Sequence, residues 1–249
     1  MTSEVTNALL NIKDDELFYD TPLYFIGGTA LCYYVNHRVS YDIDIVSDKK
    51  LPFRDIQKFA LKIKARIIND PNAWRLRMNS GVNSEELVLK YTYNRVKLEF
   101  FHPLLDLQNI IIEQAEKTSY EDGNLKILDL KSIAKLKIIA LFNRGKSRDY
   151  YDVYYLLKHG HIDLEEITSL WEMMQKSITI EEHLKNINLD KNDESLDFEK
   201  EQIDFKLFRS LKTKEAFLKA KELLLDEIEI QTKISRKNRD KDIRSSLKK

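Results

Sequence analysis

Residues 41–47, Tyr-Asp-Ile-Asp-Ile-Val-Ser, alternate acidic and branched apolar side chains, and this period of two is the tightest constraint in the 249-residue chain. Successive side chains of a strand point to opposite faces, so Ile43 and Ile45 share one face and Asp42 and Asp44 the other. A chain carrying such a strand must cover the isoleucine face with a core, and it leaves two carboxylates side by side opposite. These can be paired hard-oxygen ligands for a divalent cation beside a nucleotide's phosphates, or the solvent face of an ordinary amphipathic strand.

The neighbouring segments predict a sheet with helices. Residues 23–26 read as a short buried strand ending at Gly27-Gly28, and a helix follows over 29–36. The first twenty residues read as helix with a polar break at 13–16. Pro52 opens a helix of about fourteen residues. Segments 66–69, 74–78, 87–93 and 96–101 read as strands, and after a turn at 121–124 a last short strand lies near Ile127. The remainder reads as helices over 130–144, 148–159, 164–176, 180–186, 198–210 and 213–231, with 190–195 as the most linker-like stretch. The fold class expected is α/β of the α+β type, with a mixed rather than purely parallel sheet followed by a helical C-terminal part. The division expected is a core over 1–125, a helical part over 126–230 and a basic tail over 231–249.

Composition narrows the function classes. A single cysteine, Cys32, excludes an intramolecular disulfide framework and any cysteine-based zinc site, and suits a reducing cytoplasm. The apolar run over 24–35 is interrupted by Gly27, Gly28 and Thr29 and is too short to span a bilayer. No charged-then-apolar leader follows Met1. A cytoplasmic protein is expected. The 41 basic residues balance the 41 acidic ones, so nothing in the overall charge steers the protein to nucleic acid. Charge is uneven, however: residues 231–249 hold eight basic side chains against Asp240 and Asp242. Such a tail either holds a polyanion such as RNA or only keeps the terminus solvated.

Further candidate residues surround the acidic strand in sequence. Gly27-Gly28 between a strand and a helix lets backbone N–H groups approach phosphate at a helix N-terminus, and equally suits a plain turn. Glu99, in the apolar strand Lys97-Leu-Glu-Phe-Phe101, is a third carboxylate for the same pocket or the cross-strand partner of a basic residue. In the helix over 130–144, Leu130, Ile133, Ala134, Ala140 and Leu141 form one stripe with Lys137 in its middle. A lysine there needs an anion or a route to solvent. In Arg144-Gly-Lys-Ser-Arg-Asp-Tyr-Tyr-Asp152, Ser147 is a candidate N-cap and Asp149 suits the helix dipole. Asp152, four residues after Arg148, is an ion-pair partner or an inward-facing acid. The five histidines lack paired zinc spacing.

Taken in order, Gly27-Gly-Thr-Ala-Leu31, His37-Arg-Val-Ser-Tyr-Asp-Ile-Asp44, Lys97-Leu-Glu99, Lys137-Ile-Ile-Ala-Leu141 and Arg144-Gly-Lys-Ser-Arg-Asp-Tyr-Tyr-Asp152 resemble the nucleotidyltransferases of the AbiEii/AbiGii toxin family, toxins of type IV toxin–antitoxin and abortive-infection systems. The resemblance covers residues 24–157. It implies a polymerase-beta-like nucleotidyltransferase core with a helical C-terminal part. It further implies that Gly27, Gly28 and Thr29 hold a nucleoside triphosphate, that Asp42 and Asp44 bind Mg2+ in a one- or two-metal site, and that Glu99 is the third metal carboxylate. Lys137 would contact the nucleotide, Asp152 would be an essential acid, and Arg148 would orient Asp152 or a phosphate. The implied reaction transfers a nucleoside monophosphate to an RNA, with tRNA a candidate, or to a protein, under control of a cognate antitoxin. The alternative is a catalytically silent nucleotide- or RNA-binding module on the same fold.

Overall fold

The computed structural model describes residues 1–68, 88–174, 178–187 and 213–246. The expected strand over 74–78, the helix over 198–210 and the linker over 190–195 lie outside the described residues. The chain divides into two units, the first formed by Met1–Leu136 and the second, among described residues, by residues from Lys137 onward.

The first unit is built on a seven-stranded mixed sheet. Its strands are β1 (Leu23–Ile26), β2 (Asp42–Ser47), β3 (Arg66–Ile67), β4 (Val88–Tyr93), β5 (Val96–Phe101), β6 (Lys117–Ser119) and β7 (Lys126–Leu128), in the spatial order β3-β4-β5-β2-β1-β7-β6. β2 pairs antiparallel with β1 and parallel with β5, and β1 pairs parallel with β7. Helices α1 (Ser3–Ile12), α2 (Gly27–Val35), α3 (Phe53–Lys62) and α4 (Asp106–Gln114) complete the unit.

Register decides what each face carries. Leu89, Phe100, Ile45, Phe25 and Ile127 stand opposite one another across five strands, and all are buried. Phe100 meets Phe59 of α3 and Tyr91 edge-on, with ring centroids 6.1 and 6.3 Å apart, and Phe59 continues to Phe18 at 5.5 Å. One residue along, the corresponding row reads Lys90, Glu99, Asp44 and Ile26. A slip of one residue would exchange the two rows, driving carboxylates into the core.

Local chemistry explains the differences from the sequence reading. The first strand ends at Ile26 and α2 begins directly at Gly27. α3 stops after ten residues rather than fourteen, because Ile63 leaves the helix and Lys64 takes a left-handed φ of 58°. α4 and β6 carry no clean period and were not expected. The strand at 96–101 and the helix at 130–144 have the expected bounds.

The second unit is helical. α5 (Leu130–Arg144) runs into it from the first, followed by α6 (Ser147–Lys158), α7 (Leu164–Met173), α8 (Ile180–Asn186) and α9 (Thr213–Ser246). α9 packs on α6 through Ala216, Phe217, Ala220, Leu224 and Ile228, with Phe217 edge-on to Tyr150. The helix then continues fifteen residues past the expected end at 231. No Gly or Pro interrupts residues 213–246, and Lys233 pairs with Glu229 one turn back, so nothing stops its propagation.

Phe100→Ala removes the ring at the centre of the apolar row, and a loss of about 3–5 kcal/mol is expected. Urea denaturation followed by tryptophan fluorescence and circular dichroism measures it.

Candidate active site

The glycine pair and the acidic strand meet at the end of β1. Ile26 lies opposite Asp44, so the chain leaves β1 beside that carboxylate. Gly27 adopts a φ of +83°, and a Cβ there would overlap the Asp44 carboxyl group. A Cβ on Gly28 would overlap the guanidinium of Arg38, a buried arginine. Gly27 is therefore required both by its positive φ and by its close approach to Asp44, whereas a side chain at residue 28 would displace the far end of Arg38. Thr29 is fully buried; its hydroxyl donates to the Asp42 carbonyl and lies 2.8 Å from the Ser40 hydroxyl. That bond ties the first turn of α2 to the start of β2, next to the two aspartates.

Parallel pairing of β2 with β5 sets Asp42 opposite Lys97 and Asp44 opposite Glu99. All four are half-buried on the polar face. Glu99 thus reaches the position expected of a third carboxylate, but its Oε2 is 2.5 Å from Lys97 Nζ, a partner on its own strand. Burial works against the Lys97 charge; Glu99 first, then Asp44 and Asp42, outweigh it and hold the lysine above its ordinary pKa. Among the described residues no group of three or more His, Cys, Asp or Glu side chains converges to hold a metal ion. The donors that fit one are Asp42 and Asp44, since Mg2+ is commonly held by one or two carboxylates while phosphate oxygens and water fill its octahedron.

The second unit gathers a different set of charges. Lys137 is buried, and its Nζ lies 2.8 Å from Oδ2 of the fully buried Asp152. The anion that a lysine on this buried helix requires is supplied from α6. α5 is also buried more widely than one stripe: Leu136, Ile138, Ile139 and Phe142 are covered as well, while Lys131 is exposed. Asp149, expected to serve the helix dipole, is fully buried and accepts two bonds from Arg144, 2.8 Å from Nε and 3.0 Å from the terminal nitrogen. Burial alone would push its carboxyl up. Arg144 outweighs that, with Lys137 and Arg148 adding to it, and Asp149 is held below the ordinary aspartate value.

The α5–α6 joint is a two-residue turn in which Gly145 takes a φ of +56° and ends α5. The N-cap of α6 is Lys146, not Ser147; its backbone N–H donates to Asp149 at 3.3 Å. Ser147 is the first helical residue and is fully buried: the glycine turn brings the chain into helical geometry one residue earlier than a serine cap requires.

The sequence reading missed the part that three contributors play in these clusters. Lys97 had a legible signal, since spacing of two from Glu99 puts both on one face. Asp149 had the motif but no indication of burial. Arg38 lies in an irregular segment without period, and only the fold brings it against Gly28.

Asp152→Ala takes from the buried Lys137 its ion-pair partner and is expected to cost about 3–5 kcal/mol, and the double variant Lys137→Met/Asp152→Leu markedly less; urea titration of both tests it. Asp149→Asn is expected to destabilise at pH 7. Because the folded pKa is depressed, the aspartate's contribution is present above its unfolded value of about 3.9 and is lost as pH falls through the lower folded value. The stability gap between wild type and Asp149→Asn should close only below about pH 4, read from urea midpoints between pH 7 and 2.5.

The family model described as "Nucleotidyl transferase AbiEii toxin, Type IV TA system" matches residues 9–228. An uncharacterized protein of Aquifex aeolicus (strain VF5) is 27% identical over 155 residues, covering 62% of this chain and 67% of that protein. Among solved structures, a Helicobacter pylori protein provisionally named a nucleotidyltransferase superposes with a TM-score of 0.48 at 18% identity, covering 94% of this chain and 99% of that one. JHP933 from Helicobacter pylori gives a TM-score of 0.45 at 19% identity, covering 97% and 99%. With most of its length matched by the family model, the chain belongs to the AbiEii nucleotidyl transferase toxins of type IV toxin–antitoxin systems.

Proposed function

We propose that this nucleotidyltransferase toxin transfers a nucleoside monophosphate from a nucleoside triphosphate to an acceptor hydroxyl of an RNA, with tRNA a candidate, or of a protein, in a Mg2+-dependent reaction. The observation that carries the reading is the packing of Gly27 against the Asp44 carboxylate. It sets a helix N-terminus, where backbone N–H groups favour phosphate, beside a pair of hard-oxygen donors.

In this reading Asp42 and Asp44 hold the cation, which when bound supplies Lewis-acid stabilisation of the attacking and leaving oxygens. Gly27, Gly28 and the start of α2 receive the triphosphate. Thr29 acts through β2, by holding the Asp42 backbone in place. Lys137 serves the nucleotide, Asp152 sets its position through their ion pair, and Arg148 adds positive charge in the same unit. The acceptor oxygen forms a bond to the α-phosphorus, the bond between that phosphorus and the bridging oxygen breaks, and pyrophosphate leaves. The hydroxyl proton passes to solvent. Correct placement of the reactants is most of what such a site contributes.

A cognate antitoxin is the partner that the family implies. Among the described residues no helix is long and apolar enough to cross a membrane.

The test is incubation of the protein with each α-labelled nucleoside triphosphate, Mg2+ and total RNA or lysate. Label is expected to enter RNA or protein with the wild type and to fall by more than about a hundredfold with Asp42→Ala/Asp44→Ala, since the Lewis-acid contribution is several kcal/mol. Nucleotide binding without any transfer would overturn the proposal in favour of a binding module, and undiminished transfer by the double variant would overturn the assignment of the aspartates.

A further inference from the structure

The polar face of the sheet already holds cations of its own: Lys90, on β4, stands opposite Glu99, and Lys97 pairs with Glu99 on their shared strand. Lys97 lies opposite Asp42 across the β2–β5 pairing, and its ammonium rests on Glu99, which lies opposite Asp44. Lys97 and Glu99 are two residues apart on one strand, so both project to the face that bears the aspartates. Three carboxylates on neighbouring positions repel one another, and a cation among them relieves that repulsion. A divalent ion would do so more strongly, but it would have to take Glu99 from Lys97 to gain a third protein ligand.

We propose that Lys97 is the resident counter-cation of this site: it withholds Glu99 from the metal and lowers the affinity for free divalent ion, so that metal is taken up together with the triphosphate rather than before it. The proposal rests on the reading of Asp42 and Asp44 as metal ligands. A nucleotide brings its own phosphate oxygens, so a site that offers two carboxylates holds the metal–nucleotide complex while holding the bare ion poorly. Lys97 acts through Glu99 and through its charge, as a positioning residue, and Glu99 is the group it controls.

The experiment is Mn2+ binding to the full-length protein without nucleotide, followed by the electron paramagnetic resonance signal of free Mn2+ up to millimolar concentration. Wild type is expected to bind weakly. Lys97→Gln is expected to bind Mn2+ at least about tenfold more tightly, since a unit charge a few ångströms away is worth more than 1.4 kcal/mol even when well screened. Lys97→Arg keeps the charge and should remain within about threefold of wild type. The double variant Lys97→Gln/Glu99→Gln should lose the gain, because the ligand that Lys97 withheld is gone. A merely structural lysine would not produce tighter binding on removal, nor a gain that depends on Glu99. With urea midpoints showing each variant folded, unchanged or weaker binding by Lys97→Gln overturns the role of Lys97, provided that Asp42→Asn/Asp44→Asn abolishes binding in the tight-binding or nucleotide-loaded state. If that aspartate variant binds Mn2+ as well as its parent in both states, the metal assignment itself falls and the proposal with it.

Discussion

The pairing register of β2 between β1 and β5 is the constraint on which the first unit depends. Because a strand alternates with a period of two, one choice of register puts Ile45 in a buried row with Phe25 and Phe100 and, in the same act, puts Asp44 beside Ile26 and Glu99. Core and site are thus two faces of one decision. The apolar row makes the register stable, and the stable register places the carboxylates. The aspartates contribute nothing to the core, yet their positions are only as well defined as the packing of Phe100 behind them.

Close approach then fixes the turn. The Asp44 carboxyl presses against the backbone at Gly27, leaving no room for a side chain there, and the Arg38 guanidinium lies against Gly28. The paired glycines are accordingly part of the acidic site, and the Thr29 bond to the Asp42 carbonyl couples α2 to β2. In the second unit the logic differs. Its acids are fully buried and each has a basic partner, Arg144 for Asp149 and Lys137 for Asp152, so their charges are already compensated and they hold α5 and α6 in a defined relation. The first unit's aspartates are half-buried and share their face with Glu99 and its ion-pair partner Lys97, beside the start of α2.

Legibility followed the strength of local periodicity. The acidic strand, the strand at 96–101 and the helix at 130–144 could be placed from their patterns, and Lys137 could be recognised as a lysine on a buried face. α4 and β6 have weak patterns and escaped, since their apolar positions are set by where the sheet edge lies. Ser147 looked like a cap because serine is a good one; Gly145 shifted the turn by a residue and Lys146 took the position. Lys97 could have been read as a neighbour of Glu99 from their spacing alone. Arg38 could not.

What the amino-acid sequence determined unaided is everything that depends on neighbours a few residues apart: which faces strands and helices present, where the chain turns, and that acids, glycines and lysines of a nucleotidyltransferase occur in order. What only the tertiary structure decided is which of those groups meet. Asp44 lies beside Glu99 because two parallel strands pair, Gly28 lies under Arg38 because a loop returns across the turn, and Asp152 finds Lys137 because α6 folds back on α5. The physical reason is that such encounters are set by long-range packing and register, which depend on the summed burial of distant side chains and leave no period in any local stretch of sequence.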